Sequence, residues 1–93
     1  MIINDKKLHM ITKALDNSLR IQILYYLEDN QQSNVSNLMN YFETSQPNIS
    51  RHLKILADAN LVYSQKDGQE RIYQLSDNHV SQLLATLKTH IND

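Results

Sequence analysis

The sequence predicts a mainly α-helical fold carrying a single β-hairpin, and three observations predict it. One glycine and one proline interrupt 93 residues of which 41% are hydrophobic, a composition for one modest helical core rather than a disordered chain. Apolar residues recur at spacings of three and four through most of the chain, the sign of helices buried along one face. Beyond Asn60 the pattern changes to two short runs at 61–65 and 71–75, rich in β-branched and aromatic residues, with Asp67-Gly68 between them. Asp-Gly between two such runs is a strong hairpin signal.

Residues 5–15 read as the first helix, with Leu8, Ile11 and Leu15 on one side and Met10 and Ala14 beside them. Apolar on two sides, this helix has more surface than a small core easily covers; partner contact and core packing both stay open. Asp16 or Asn17 caps a second helix carrying Leu19, Ile21, Ile23, Leu24 and Leu27. Its apolar residues run nearly all the way round, as in a central buried helix. Residues 28–32 read as a polar loop. Ser33 or Asn34 then opens a short helix from Val35 to about Tyr41, with Val35, Leu38 and Met39 inward.

The next helix organises the chain. Thr44 or Ser45 is its N-cap, and Pro47 falls in the first turn, where a missing N–H costs nothing. Ile49, Leu53 and Leu56 form one stripe for the core, and Asn60 accepts the left-handed conformation that ends a helix. Pro47, Arg51 and Lys54 point away from that stripe, with Asn48 and Ser50 on its flanks. No acid occurs from 44 to 57. Such a face suits a DNA major groove, cations meeting phosphates while Gln, Asn, Ser and Arg meet base edges. Ser45, Gln46, Asn48, Ser50, Arg51 and Lys54 are the candidate contacts. An ordinary amphipathic surface helix would carry the same stripe.

Two short helices joined by a few residues, the second polar outside, make a helix-turn-helix at about 33–59. The hairpin at about 61–75 is then a wing. Gln65, Lys66, Gln69 and Arg71 near its tip can touch a DNA backbone, although Asp67 and Glu70 beside them also fit a plain solvated tip. Asp77 caps a last helix at about 77–91, with Val80, Leu83, Leu84 and Leu87 apolar. The order is a winged helix-turn-helix with an extra helix at each end, one domain over 1–93.

Composition narrows the function. The formal net charge is -1, so DNA binding must rest on local charge. Arg51 and Lys54 stand against no carboxylate in 46–54, while acids collect at Glu28, Asp29 and Glu43. There is no cysteine, which removes disulfides, thiolate metal sites and thiol redox sensing. No apolar run approaches the ~20 residues of a membrane span and no signal pattern opens the chain, so the expected location is the cytoplasm. A Gly-rich phosphate loop, HExxH and a nucleophile elbow are missing, and no enzyme is expected. His52 lies at the edge of the apolar stripe and reads as a packed, hydrogen-bonded histidine, His9 as an exposed one.

Asp77, His79, His90 and Asp93 form a set of metal-ligating types. Eleven residues separate the two histidines, which returns them to within about 20° of one helix face but places them roughly 16 Å apart along it. No single ion spans that distance. Two such helices packed antiparallel about a two-fold axis would bring Asp77 and His79 of one chain beside His90 and Asp93 of the other. Two imidazoles and two carboxylates suit four-coordinate zinc or cobalt. Spacing alone leaves open a capping aspartate, two surface histidines and a frayed helix end.

Over nearly its full length the chain resembles the ArsR/SmtB family of metal-sensing winged-helix transcriptional repressors. The resemblance is carried by 15–24 (Leu-Asp-Asn-Ser-Leu-Arg-Ile-Gln-Ile-Leu) and, most specifically, by 45–56 (Ser-Gln-Pro-Asn-Ile-Ser-Arg-His-Leu-Lys-Ile-Leu). Ala59-Asn60-Leu61-Val62 and the hairpin ending Arg71-Ile72-Tyr73-Gln74-Leu75 add to it. Asn60 departs from the more usual glycine before Leu-Val. The resemblance implies a homodimer built by the outer helices and an apo form that occupies a palindromic operator in double-stranded DNA. In the zinc-sensing branch the C-terminal helix reads Asp-x-His, a second His eleven residues on, then a carboxylate or His three further. Asp77, His79, His90 and Asp93 match position by position. The implied function is therefore repression relieved by Zn(II), with Co(II) or Ni(II) as other metals. The alternatives are a repressor of this family answering a different signal, and a winged-helix protein-interaction module. Arg51 separates the last from a DNA reader, which needs an exposed cation there.

Overall fold

The computed structural model describes residues 3–93. Five helices and one hairpin follow in the order α1 (Asp5–Leu15), α2 (Ser18–Asn30), α3 (Val35–Phe42), α4 (Gln46–Asp58), β1 (Val62–Asp67), β2 (Glu70–Leu75) and α5 (Asn78–Asn92). Every helix starts on a short polar side chain that accepts from a backbone N–H of the first turn. Asn4 accepts from Lys7, Asn17 from Arg20, Asn34 from Asn37, Ser45 from Asn48, and Asp77 from both His79 and Val80. These caps satisfy donors that the helix itself cannot pair.

The expected elements form, with two shifts. The polar loop expected at 28–32 is shorter, because α2 continues to Asn30. Glu28, Asp29 and Asn30 are exposed and sit comfortably on the solvent side of a helix whose other face is core. The helix stops where Gln31 turns to φ 70. In the hairpin, Asp67 pairs with Glu70, so the two-residue loop is Gly68-Gln69 rather than Asp67-Gly68. Gly68 has φ +65, which places the flexible residue first in the loop, as a type II′ turn requires. A feature absent from the sequence reading is a bridge between Ser33 and Tyr73. Ser33 N donates to Tyr73 O at 3.0 Å and Tyr73 N to Ser33 O at 2.8 Å, tying the wing to the entrance of α3.

The core gathers Ile23, Leu24 and Leu27 of α2 with Leu38, Ile49, Leu53, Leu56, Val62 and Leu84, all essentially without solvent exposure. The stripe Ile49–Leu53–Leu56 thus does what its spacing demands. Central α2 packs against α1, α4, α5 and β2. The outer helices are less satisfied: Leu8 on α1 and Leu83 and Ile91 on α5 stay exposed. No helix among the described residues is long and apolar enough to cross a membrane.

Candidate nucleic-acid interface

α4 enters on a rigid first turn. Ser45 Oγ accepts from Asn48 N at 3.3 Å, and Thr44 Oγ1 accepts from Asn48 Nδ2 at 3.0 Å. The far side of the buried stripe then carries a chain of polar contacts. Gln46 Nε2 donates to Ser50 Oγ at 2.9 Å, and the Arg51 guanidinium donates to Asn48 Oδ1 at 2.6 Å. Ser45, Gln46, Arg51 and Lys54 are exposed and Asn48 and Ser50 half-buried. Exposed side chains bonded to one another are already ordered, so turning to a base edge costs little rotamer freedom. The face is less purely cationic than 44–57 alone shows, because Lys54 Nζ lies 3.3 Å from Asp58 Oδ2, one turn on.

The wing adds charge beside α4. Lys66 and Arg71 are direct cross-strand partners and therefore project from the same face. Arg71 is steadied by donating to Ser64 Oγ at 3.0 Å. Two cations opposed on a hairpin repel unless an anion lies over them. Glu70 Oε1 accepts from Asn34 Nδ2 at 3.0 Å, and this acid lines the same depression as Arg71. Gln46 and Ser50 of α4 line that depression, of about 330 Å3, with Arg71 and Gln69 of the wing. Of the candidate set, this depression joins Gln46 and Ser50 to Arg71; Ser45, Asn48, Arg51, Lys54 and Lys66 lie outside its lining.

Behind this surface lies a contact that the sequence reading did not single out. Arg20, at the start of α2, is buried. Its Nε donates to Ala14 O at 2.8 Å, one Nη to Lys13 O at 3.0 Å, and the other Nη lies 3.0 Å from His52 Nδ1. The guanidinium closes the C-terminal end of α1, where carbonyls lack helical partners, and grips α4 from behind. Because Arg donates only, His52 Nδ1 must accept, which fixes a neutral ring protonated at Nε2. Burial, then the charges of Arg20 and Arg51, lower the His52 pKa below its ordinary 6.5. A signal for Arg20 was available: it precedes buried Ile23, Leu24 and Leu27 by three, four and seven residues, which puts it on the same helix face.

The candidate metal ligands stand at the two ends of α5. Asp77 Oδ1 caps the helix, accepting from His79 N at 2.9 Å and Val80 N at 3.3 Å, while Oδ2 lies 3.6 Å from His79 Nδ1. Both side chains are largely exposed. They edge a groove of about 470 Å3 with Met10 and Ile11 of α1, Leu61 and Val80. His90 and Asp93 occupy the other end of the helix. Among the described residues of one chain, no three His, Asp or Glu come together as a metal site. The donor set suits a four-coordinate divalent ion, but one chain brings only two of the four donors to a point.

Comparison with known proteins gives the same outline. A family profile described as "Bacterial regulatory protein, arsR family" matches residues 17–64. The arsenical resistance operon repressor of Bacillus subtilis is 40% identical over 73 residues, covering 78% of this chain and 70% of that protein. The HTH-type transcriptional repressor SmtB of Mycobacterium tuberculosis is 31% identical over 83 residues, covering 89% of this chain; the chain spans only 61% of that relative's length. The solution structure of the homodimeric winged helix-turn-helix DNA-binding domain Mb0332 from Mycobacterium bovis superposes with a TM-score of 0.86 at 23% identity. That match covers 94% of this chain and 80% of the other.

Proposed function

The chain belongs to the arsR family of bacterial regulatory proteins, a family of transcriptional regulators and not of enzymes, and on that premise we propose that it is a homodimeric repressor whose hold on DNA is released by a divalent metal, Zn(II) in the first place. The observation that carries the DNA reading is the depression in which Gln46 and Ser50 of α4 meet Arg71 of the wing. Arg51 stands exposed on α4, and Lys66 and Arg71, partners across the hairpin, would meet a phosphate. Two such surfaces on a two-fold axis would address half-sites about 34 Å apart in a palindrome. Dimerisation is supported by the exposed Leu8, Leu83 and Ile91 on the outer helices and by the homodimeric state of the M. bovis neighbour.

The metal reading is supported by the donor set on α5. Asp77 and His79 of one protomer, with His90 and Asp93 of a second, would supply two imidazole nitrogens and two carboxylate oxygens. Asp77 is suited to the role because its cap uses Oδ1 and leaves Oδ2 turned toward His79. An ion held by these residues would cross-link the two copies of α5 and fix their spacing. The chain's own residues transmit that constraint: α5 and α4 both pack against α2, and Arg20 joins α2 to the end of α1 and to His52 on α4. A palindrome tolerates a narrow range of half-site separations, so fixing the dimer can oppose DNA. By linkage, DNA must then weaken metal binding by the same factor. The 93-residue sequence has no cysteine, so a thiolate site for a soft ion such as arsenic(III) is not open to it.

His90→Ala tests the reading. The variant should bind the operator as the parent does and ignore zinc. Release of DNA by zinc from His90→Ala, as from the parent, would place the ion elsewhere and overturn the site.

A further inference from the structure

Away from the DNA-facing surface, α2 and α3 enclose an open groove of about 330 Å3, and its lining is aromatic and acidic. The Tyr26 and Tyr41 ring centroids stand 4.7 Å apart with their planes tilted by 55°. Phe42 meets Tyr41 edge-on at 4.9 Å and lies 6.0 Å from Tyr26. Tyr25 and Asp29 line the same groove. Tyr41 keeps 66% of its surface exposed, so the cluster is not a closed part of the core.

Charge decides what such a groove attracts. Residues 21–50 contain Glu28, Asp29 and Glu43 and not one Lys, Arg or His. Glu28 is engaged, its Oε2 accepting from Ser81 Oγ at 2.7 Å, which leaves Asp29 as the acid of the groove. Lys88 of α5 shares a neighbouring depression with Asp29, yet the ion pairs among the described residues are Lys54–Asp58 and His79–Asp77. Anions are repelled here. Aromatic faces carry a negative quadrupole and hold ammonium groups, quaternary ones above all. The volume is that of a small-molecule site, too small for a folded partner.

We propose that this groove binds a small organic ammonium cation, a quaternary or protonated amine, with Tyr26 and Tyr41 offering ring faces and Asp29 the counter-charge. The site does not depend on the DNA or metal reading, since none of its residues belongs to either surface.

The test is an NMR titration of the whole chain with choline, set against 3,3-dimethylbutan-1-ol, its neutral isostere. Choline should give saturable shifts at Tyr26, Asp29, Asn30 and Tyr41, and the isostere should bind roughly tenfold more weakly. Tyr41→Ala and Asp29→Asn, both at exposed positions, should each lower choline affinity by roughly two- to fivefold. No saturable response to choline, equal response to the isostere, or unchanged affinity in both variants would each overturn the proposal.

Discussion

Replacing Arg20 by Met keeps an unbranched stem in the core and removes the guanidinium. Ala14 O and His52 Nδ1 then lose their donor, while Lys13 O loses one of two and keeps Asp16 N at 3.2 Å. A buried acceptor left unpaired costs about 1–3 kcal/mol. The Lys13 carbonyl is only partly buried and stays paired, so it adds little. A loss of about 3 kcal/mol follows for the two orphaned acceptors, a large share of the roughly 5–15 kcal/mol that holds a small domain folded. Urea unfolding at one fixed protein concentration measures it, the fixed concentration removing any contribution of association. With a slope typical of a small chain, the midpoint should fall by about 1 M or more. Arg20→Lys, which keeps the charge and a donor but not the fork, should fall between parent and Arg20→Met. A loss below about 0.5 kcal/mol for Arg20→Met would refute the view that this side chain ties α1, α2 and α4 together.

His52, held neutral by burial and by Arg20 and Arg51, gives a signed pH dependence. The unfolded chain takes up its proton near 6.5 while the folded ring resists, so the contribution is full above that pH and is lost as pH falls below it. The slope is at most about 1.4 kcal/mol per pH unit; His52→Gln should flatten it, and an unchanged slope contradicts the assignment. Glu43 ends α3 at φ 52 and ψ 51, a conformation that costs an L-residue about 1–2 kcal/mol. Glu43→Gly should therefore raise stability by about 0.5–1 kcal/mol in thermal melts, after the glycine's own entropy cost; a lower melting temperature contradicts this. On DNA, Arg51→Ala should cost about 1–3 kcal/mol of operator binding with the fold intact. Lys66→Ala or Arg71→Ala should each reduce the salt slope by about 1, across specific and non-specific DNA alike. Equal binding by Arg51→Ala at several salt concentrations would remove α4 from the interface.

Much of this architecture is legible because local rules and tertiary packing agree. Asn17, Ser45 and Asp77 cap where short polar side chains precede an apolar period, and Ile49, Leu53 and Leu56 are buried because their spacing leaves them no other face. Asn60 at φ 62 ends the α4 region as an asparagine can. The sequence is a poorer guide where a choice is made by one residue's conformation. Gly68 rather than Asp67 opens the hairpin loop, and Gln31 rather than Glu28 ends α2. Contacts between distant segments leave the weakest trace. Nothing local announces the Ser33–Tyr73 bridge or the Asn34–Glu70 clip, whereas the Lys54–Asp58 pair that tempers the α4 charge sits at the i,i+4 spacing of one helix. At the α5 ends the limit is different in kind: sequence spacing and structure both leave the four donors at opposite ends of the helix, and only a second chain could join them.

That joining can be measured directly by mixing variants. In a shared site each ion takes Asp77 and His79 from one protomer and His90 and Asp93 from the other. Homodimers of His79→Ala, or of His90→Ala, then have every site damaged. A heterodimer of the two variants has one site missing both histidines and one fully intact. Zinc titration of each variant alone and of an exchanged mixture counts the intact sites. The account predicts that tight binding, absent from either variant alone, returns in the mixture in proportion to the heterodimer present. A mixture that binds no more zinc than the average of its two components would contradict a metal held between the chains.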